Sequence, residues 1–153
     1  MADPLSTRKS LPHAVPAWVG DGAVFFITLN AQDRGGTPLL AADRPARLWE
    51  SARWRMERGL WWPRLFLLMP DHLHMMASFP RARGMGRVVR DWKHWTAHEL
   101  GIAWQRDFFD HRIRNAAEYE EKAHYIRMNP VRKDLVATAK EWPHVWTMPA
   151  PIW

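Results

Sequence analysis

"LWWPRLFLLMPDHLHMMASFP", residues 60–80, decides the fold. Its first half is a continuous apolar, β-prone run, its second half alternates, and Pro70-Asp71 between them is turn chemistry. Two strands follow, 60–70 and 72–79, folded back on one another. Pro63 lies near the start of the first, where an edge tolerates it. Along a strand, residues i and i+2 point to one face about 6.6 Å apart. Leu73, Met75, Ala77 and Phe79 therefore make an apolar face, and His72, His74, Met76 and Ser78 make the other. Two adjacent imidazoles are half of a metal site, since imidazole is the commonest protein ligand for transition metals. A His-x-His pair also arises by chance and on an open face needs no ligand, so a third donor must come from elsewhere.

Upstream, "AVFFITLNA" (23–31) is apolar throughout and predicts a strand covered on both faces. Residues 43–58 predict a helix with Asp43 as cap, Leu48, Trp49, Ala52 and Met56 as its apolar stripe, and Gly59 as its end. Downstream come a helix over 85–100, a strand over 103–113 ("AWQRDFFDHRI") and a helix from Asn115 to about Asn129, where Pro130 follows. Residues 1–20 read as an irregular basic arm, and 141–153, with Trp142, Pro143, Pro149 and Pro151, as a tail packed by its indoles. The 153 residues, without internal repeats, fit one domain. The order strand, helix, strand, strand, helix, strand, helix predicts an α+β, ferredoxin-like antiparallel sheet with helices packed on one face.

A hydrophobic content of 47% with 25% charged residues can bury a core. The net charge of +6 points to a polyanionic partner, nucleic acid before anionic membrane. The absence of cysteine excludes disulfides, thiolate zinc sites and cysteine nucleophiles. No apolar run approaches membrane-spanning length and no signal-peptide stretch opens the chain, so a soluble cytoplasmic protein with no membrane partner is expected. Eleven tryptophans against two tyrosines imply indole packing, with some indoles free to stack on bases.

"NAAEYEEKAHYIRMNPVRK" (115–133) supplies the further donors. Asn115 with Glu118 makes a capping-box-like start. At about 100° per residue, Ala116, Tyr119, Ala123 and Ile126 share an apolar side, whereas Glu118, Glu121, Lys122, Tyr125 and Asn129 share a polar one. Tyr119 is then a packing residue and Tyr125 is free for chemistry. Asn129 lies one turn beyond Tyr125, before a proline, at the helix's frayed end. Its amide oxygen could complete a site with His72 and His74 that keeps positions open for a substrate.

On the 85–100 helix, Arg87, Arg90, His94 and His98 share a quadrant with Lys93 at its border. That face is either solvated or binds a nucleic-acid backbone. Arg127, Arg132 and Lys133 flank Tyr125, and the arm's Arg8 and Lys9 could enter a groove.

Three stretches, "MPDHLH", "WQRDFFDHRIRN" and "YIRMNPVRKDLV", resemble the REP-associated tyrosine transposases over about residues 20–146. These are bacterial relatives of the single-tyrosine transposases with a His-hydrophobic-His (HUH) motif. The resemblance implies that His72 and His74 are metal ligands, Asn129 the third ligand and Tyr125 the nucleophile. It implies magnesium or manganese; ligand type alone would allow zinc or manganese. It implies cleavage and rejoining of single-stranded DNA through a covalent 5′-phosphotyrosine, on palindromic repeats folded as hairpins. It implies work at the bacterial nucleoid, as a monomer or a homodimer. The chain departs from the family in its short tail, its tryptophans, and Asp134 where glycine is usual. Two rivals stand beside this reading: a nucleic-acid-binding module that no longer cuts, and a metal-dependent phosphoesterase in which water attacks and Tyr125 only orients.

Overall fold

The structure, a computed structural model, describes residues 22–148. Arg8, Lys9 and the rest of the basic arm, like residues 149–153, lie outside the described residues. Five strands, β1 (Val24–Asn30), β2 (Trp62–Leu68), β3 (His72–Ser78), β4 (Phe109–Ile113) and β5 (Val145–Thr147), form one antiparallel sheet in the order β4-β1-β3-β2-β5. The helices are α1 (Arg44–Glu57), α2 (Met85–Leu100), α3 (Ala116–Arg127) and the short α4 (Asn129–Arg132). The α+β, ferredoxin-like class holds.

The hairpin at Pro70-Asp71 pairs Leu68 with Leu73, and β1 slots between β3 and β4, from Val24 opposite Ser78 to Asn30 opposite His72. Alternation along β1, β2 and β3 builds two cores. On one face, Phe25, Ile27, Leu29, Phe66, Leu73 and Met75 pack with Leu48 and Ala52 of α1 and Val88, Val89 and Trp92 of α2. On the other, Val24, Phe26, Leu65, Leu67 and Met76 pack with Tyr119, Ala123 and Ile126 of α3. The expectation of helices on one face is therefore corrected. Strands that are apolar on both sides need both sides covered, and α3 with its apolar stripe covers the second.

Buried and half-buried indoles find acceptors for their N–H groups. Trp61 donates to the carbonyl of Ala52, Trp92 to the hydroxyl of Ser51, Trp104 to the hydroxyl of Thr96 and Trp142 to the carbonyl of Leu68, each between 2.8 and 2.9 Å.

Several local expectations change. Asp43 stands at the start of α1, but its side chain caps nothing; Pro45 in the first turn suits the helix instead. The strand expected over 103–113 begins only at Phe109, because Lys93 below it takes the carbonyls of Gln105 and Arg106. Before it, Trp104 makes a single bridge to Ala31. Residues 145–147 of the tail add β5 to β2, and Pro63 sits at a register shift opposite β3.

The helix expected to run to Asn129 breaks at Met128, and Asn129-Pro130 opens α4. At its far end Asp134 N–H bonds the carbonyl of Val131 at 3.0 Å and Leu135 N–H that of Pro130 at 2.9 Å. This is a Schellman cap, which demands a left-handed residue. Asp134 supplies it with φ 58°.

Candidate active site

Strand β3 presents His72 and His74 to the α3 side of the sheet, their rings 4.8 Å apart and nearly perpendicular. Both are buried. The Nδ1–H of His72 donates to the Asp71 carboxylate at 2.7 Å, which leaves Nε2 as the lone-pair nitrogen. Asp71 is held in turn by the N–H of Gly35 at 3.0 Å and by Arg34 at 3.4 Å. Burial works against the Asp71 carboxylate, but the bonds from His72 and Gly35 and the charge of Arg34 outweigh it and lower its pKa. On His74, Nδ1 pairs with the Thr28 hydroxyl at 2.9 Å, so Nε2 is the nitrogen available to a ligand.

Burial is the main force that pushes both histidine pKa values down. It is opposed at His72 by Asp71, and reinforced at His74 by His72, Arg132 and Arg34, which bring that group to about 3. Both rings are thus neutral near pH 7, the form that ligates metals.

Asn129 completes the set. The break at Met128 turns the chain inward, so Asn129 is 4% exposed rather than frayed, with its side-chain amide 2.9 Å from His72 Nε2. A half-turn of that amide exchanges Nδ2 for Oδ1 at the same place. Among the described residues no group of three His, Cys, Asp or Glu side chains can hold a metal. Two neutral imidazoles and one amide oxygen nonetheless fit a divalent ion with open positions.

Tyr125, one turn before Asn129, is 48% exposed, with its ring 6.2 Å from those of His74 and Phe26. The Arg132 guanidinium lies over that ring, 4.1 Å from its centre, and donates to the Tyr125 carbonyl at 2.6 Å.

The chain is 27% identical over 128 residues to the REP-associated tyrosine transposase of Escherichia coli, across 80% of this chain and 74% of that protein. The chain is similar to the REP-associated tyrosine transposases. A Haemophilus influenzae protein named for the same family is 25% identical over 141 residues, across 80% of this chain and 78% of its own length. A solved REP-associated tyrosine transposase, bound to a REP hairpin, superposes with a TM-score of 0.73, covering 86% of this chain and 80% of that one at 24% identity. That likeness extends to the fold. No protein-family model matches the chain.

Against this transposase-like frame the remaining basic residues divide. Arg132 and Lys133 lie beside the site, close enough for their charges to lower the histidine pKa values. Arg127 instead lines a cleft with Trp142 and Val145 of the C-terminal segment. Arg87, Arg90 and His94 are exposed, but on α2, across the sheet from the histidines; Arg87 lies 4.0 Å from Asp91. Lys93 is a correction. It is 8% exposed, its ammonium donates to the carbonyls of Gln105 at 2.8 Å and Arg106 at 3.0 Å, and burial lowers its pKa. A wheel places Lys93 at the border of the basic face but does not reveal the carbonyls beneath it. Thr28, Arg34 and Asp71 escaped the sequence reading. Asp71 was signalled only by adjacency to His72, and Thr28 only by a register, Thr28 opposite His74, that no local pattern reveals.

Proposed function

We propose that this chain is a single-stranded DNA endonuclease and strand transferase, acting on palindromic hairpin DNA in the cytoplasm through covalent attachment to Tyr125. The observation that carries the proposal is the exposed Tyr125 ring beside buried, neutral His72 and His74 and inward-turned Asn129. Similarity to REP-associated tyrosine transposases, one solved with a REP hairpin, supports the substrate class. The net charge of +6 favours encounter with a polyanion. Among the described residues no helix is long and apolar enough to cross a membrane.

Magnesium or manganese would be held by the free imidazole nitrogens of His72 and His74 and by Oδ1 of Asn129. When bound, it would offset charge on the non-bridging oxygens of the scissile phosphate. The chain's own residues do the rest. The Tyr125 oxygen attacks phosphorus and loses its proton; the bond from phosphorus to the 3′-oxygen breaks, and that oxygen leaves as a free 3′-hydroxyl. The 5′-phosphate remains on Tyr125. One diester replaces another, so the step is close to balanced and the 3′-hydroxyl can reverse it. Asp71 and Thr28 fix the two imidazoles, and Arg132 holds the tyrosine ring.

The test is a hairpin oligonucleotide from palindromic repeats flanking the gene, labelled at either end and incubated with manganese or EDTA. The expected product is a protein adduct carrying only the 3′-side label, absent with EDTA and absent in Tyr125→Phe. Cutting without an adduct would instead make water the nucleophile. A retarded complex that is never cut would leave a binding module.

A further inference from the structure

Phe109 is 50% exposed at the rim of the site, an unusual place for a phenyl ring to be left in water. It is the first residue of β4, paired with Thr28 of β1, and Thr28 is opposite His74. Paired residues on neighbouring strands point to the same side of a sheet, so Phe109, Thr28 and His74 form one row on one face. The Phe109 ring meets the edge of Phe26 at 5.9 Å. Phe26 stacks on His74 at 5.5 Å and meets Tyr125 edge-on at 6.2 Å. An aromatic row thus runs from the imidazole and the tyrosine outward to a ring with an open surface.

The ring stands on a pinned backbone. Phe108, just before it, is buried in the opposite core beneath the Lys93 ammonium, which also holds the carbonyls of Gln105 and Arg106. Phe109 is therefore not a side chain stranded by a frayed end. A rigid, exposed ring beside a phosphate site suits an unstacked nucleobase, which offers a π-face whatever its identity.

We propose that Phe109 is a stacking platform for one base of the single strand, next to the phosphate that Tyr125 attacks. The proposal rests on the strand-cutting reading of Tyr125. The platform tolerates any base and favours purines, whose larger face covers more of the ring.

The test uses the Tyr125→Phe protein, which holds a strand without cutting it. Its affinity for the hairpin is measured by fluorescence anisotropy, with the single-stranded flank made abasic one nucleotide at a time. At one position the missing base weakens binding by about tenfold, in the range of a single aromatic stack. Adding Phe109→Ala on the intact strand costs the same factor, the two losses together cost no more than either, and Phe109→Trp restores affinity. Thermal unfolding of Phe109→Ala checks that the fold is kept. Equal binding with and without Phe109, or losses that multiply at every position, overturns the platform and leaves the Tyr125 adduct reading intact. A change from dimer to monomer in Phe109→Ala on sedimentation, with no change in strand affinity, assigns the ring to a second copy and overturns it too. Failure of the wild-type protein both to bind and to form an adduct overturns platform and reading together.

Discussion

Asp71 accepts the Nδ1–H of His72 at 2.7 Å, and so decides which nitrogen of that ring faces Asn129. Partners of this kind set ligand orientation and basicity, and their loss typically costs metal affinity by about 10- to 100-fold. Asp71→Ala is expected to weaken manganese binding by that factor, read as free manganese by electron paramagnetic resonance. Undiminished affinity would mean that His72 needs no such partner.

Lys93 looks like part of a DNA-binding face on a helical wheel, but it is tied to two carbonyls beneath it. Lys93→Met is expected to destabilise the fold by about 1–3 kcal/mol, the usual cost of stranding buried polar groups, as measured by urea unfolding. The salt dependence of DNA affinity should stay unchanged. Lys133→Ala, at an exposed position, should lower that logarithmic slope by about 0.7, the value for one phosphate contact to a single strand. The reverse pattern would return Lys93 to the DNA.

Lys93 also marks the limit of what the sequence discloses. The hairpin over 60–80, the face shared by His72 and His74, the buried Tyr119 and the exposed Tyr125 are all consequences of local period, and local period survives folding. The apolar stripe of α3 says that a face is buried, not which side of the sheet buries it, so sequence alone does not separate α3 from the other helices. The proline after Asn129 predicts a frayed helix end; that the chain instead turns inward depends on α4. Three-residue β5 has too few residues to show a pattern at all.

Glu118 accepts hydrogen bonds from His111 and from the N–H of Arg114 at 2.8 Å. With the His111 bond as the largest cause, they hold its carboxyl below the ordinary value of 4.5. A carboxyl depressed in the folded state stabilises the fold above its unfolded pKa and loses that contribution as pH falls through the folded one. The stability difference between wild type and Glu118→Gln should therefore favour wild type near neutral pH and fade below about 4.5. Chemical denaturation across that interval measures it. A difference that grows on acidification would contradict the assignment.

Asp134 occupies a left-handed position, φ 58°, at the cap of α4. Glycine adopts that conformation without the Cβ penalty, and aspartate pays part of it. Asp134→Gly is expected to raise stability by about 0.5–1 kcal/mol, or roughly 1–4 °C in midpoint for a chain of this length. Asp134→Val, β-branched at the same φ, should lower it. Calorimetry on the two variants decides the matter by sign alone.

Arg132 meets Tyr125 twice, through its guanidinium face over the ring at 4.1 Å and through a hydrogen bond to the backbone carbonyl at 2.6 Å. Either contact alone is modest at an exposed site, but the two together fix both ends of the tyrosine. Arg132→Ala is expected to slow adduct formation at saturating hairpin by about tenfold, equivalent to ~1.4 kcal/mol. Arg132→Lys keeps the charge but loses the planar face and the fork. It should recover DNA affinity without recovering the single-turnover rate. If lysine restored both, Arg132 would serve the phosphate as a point charge, and the tyrosine would owe its position to Phe26 and His74 alone.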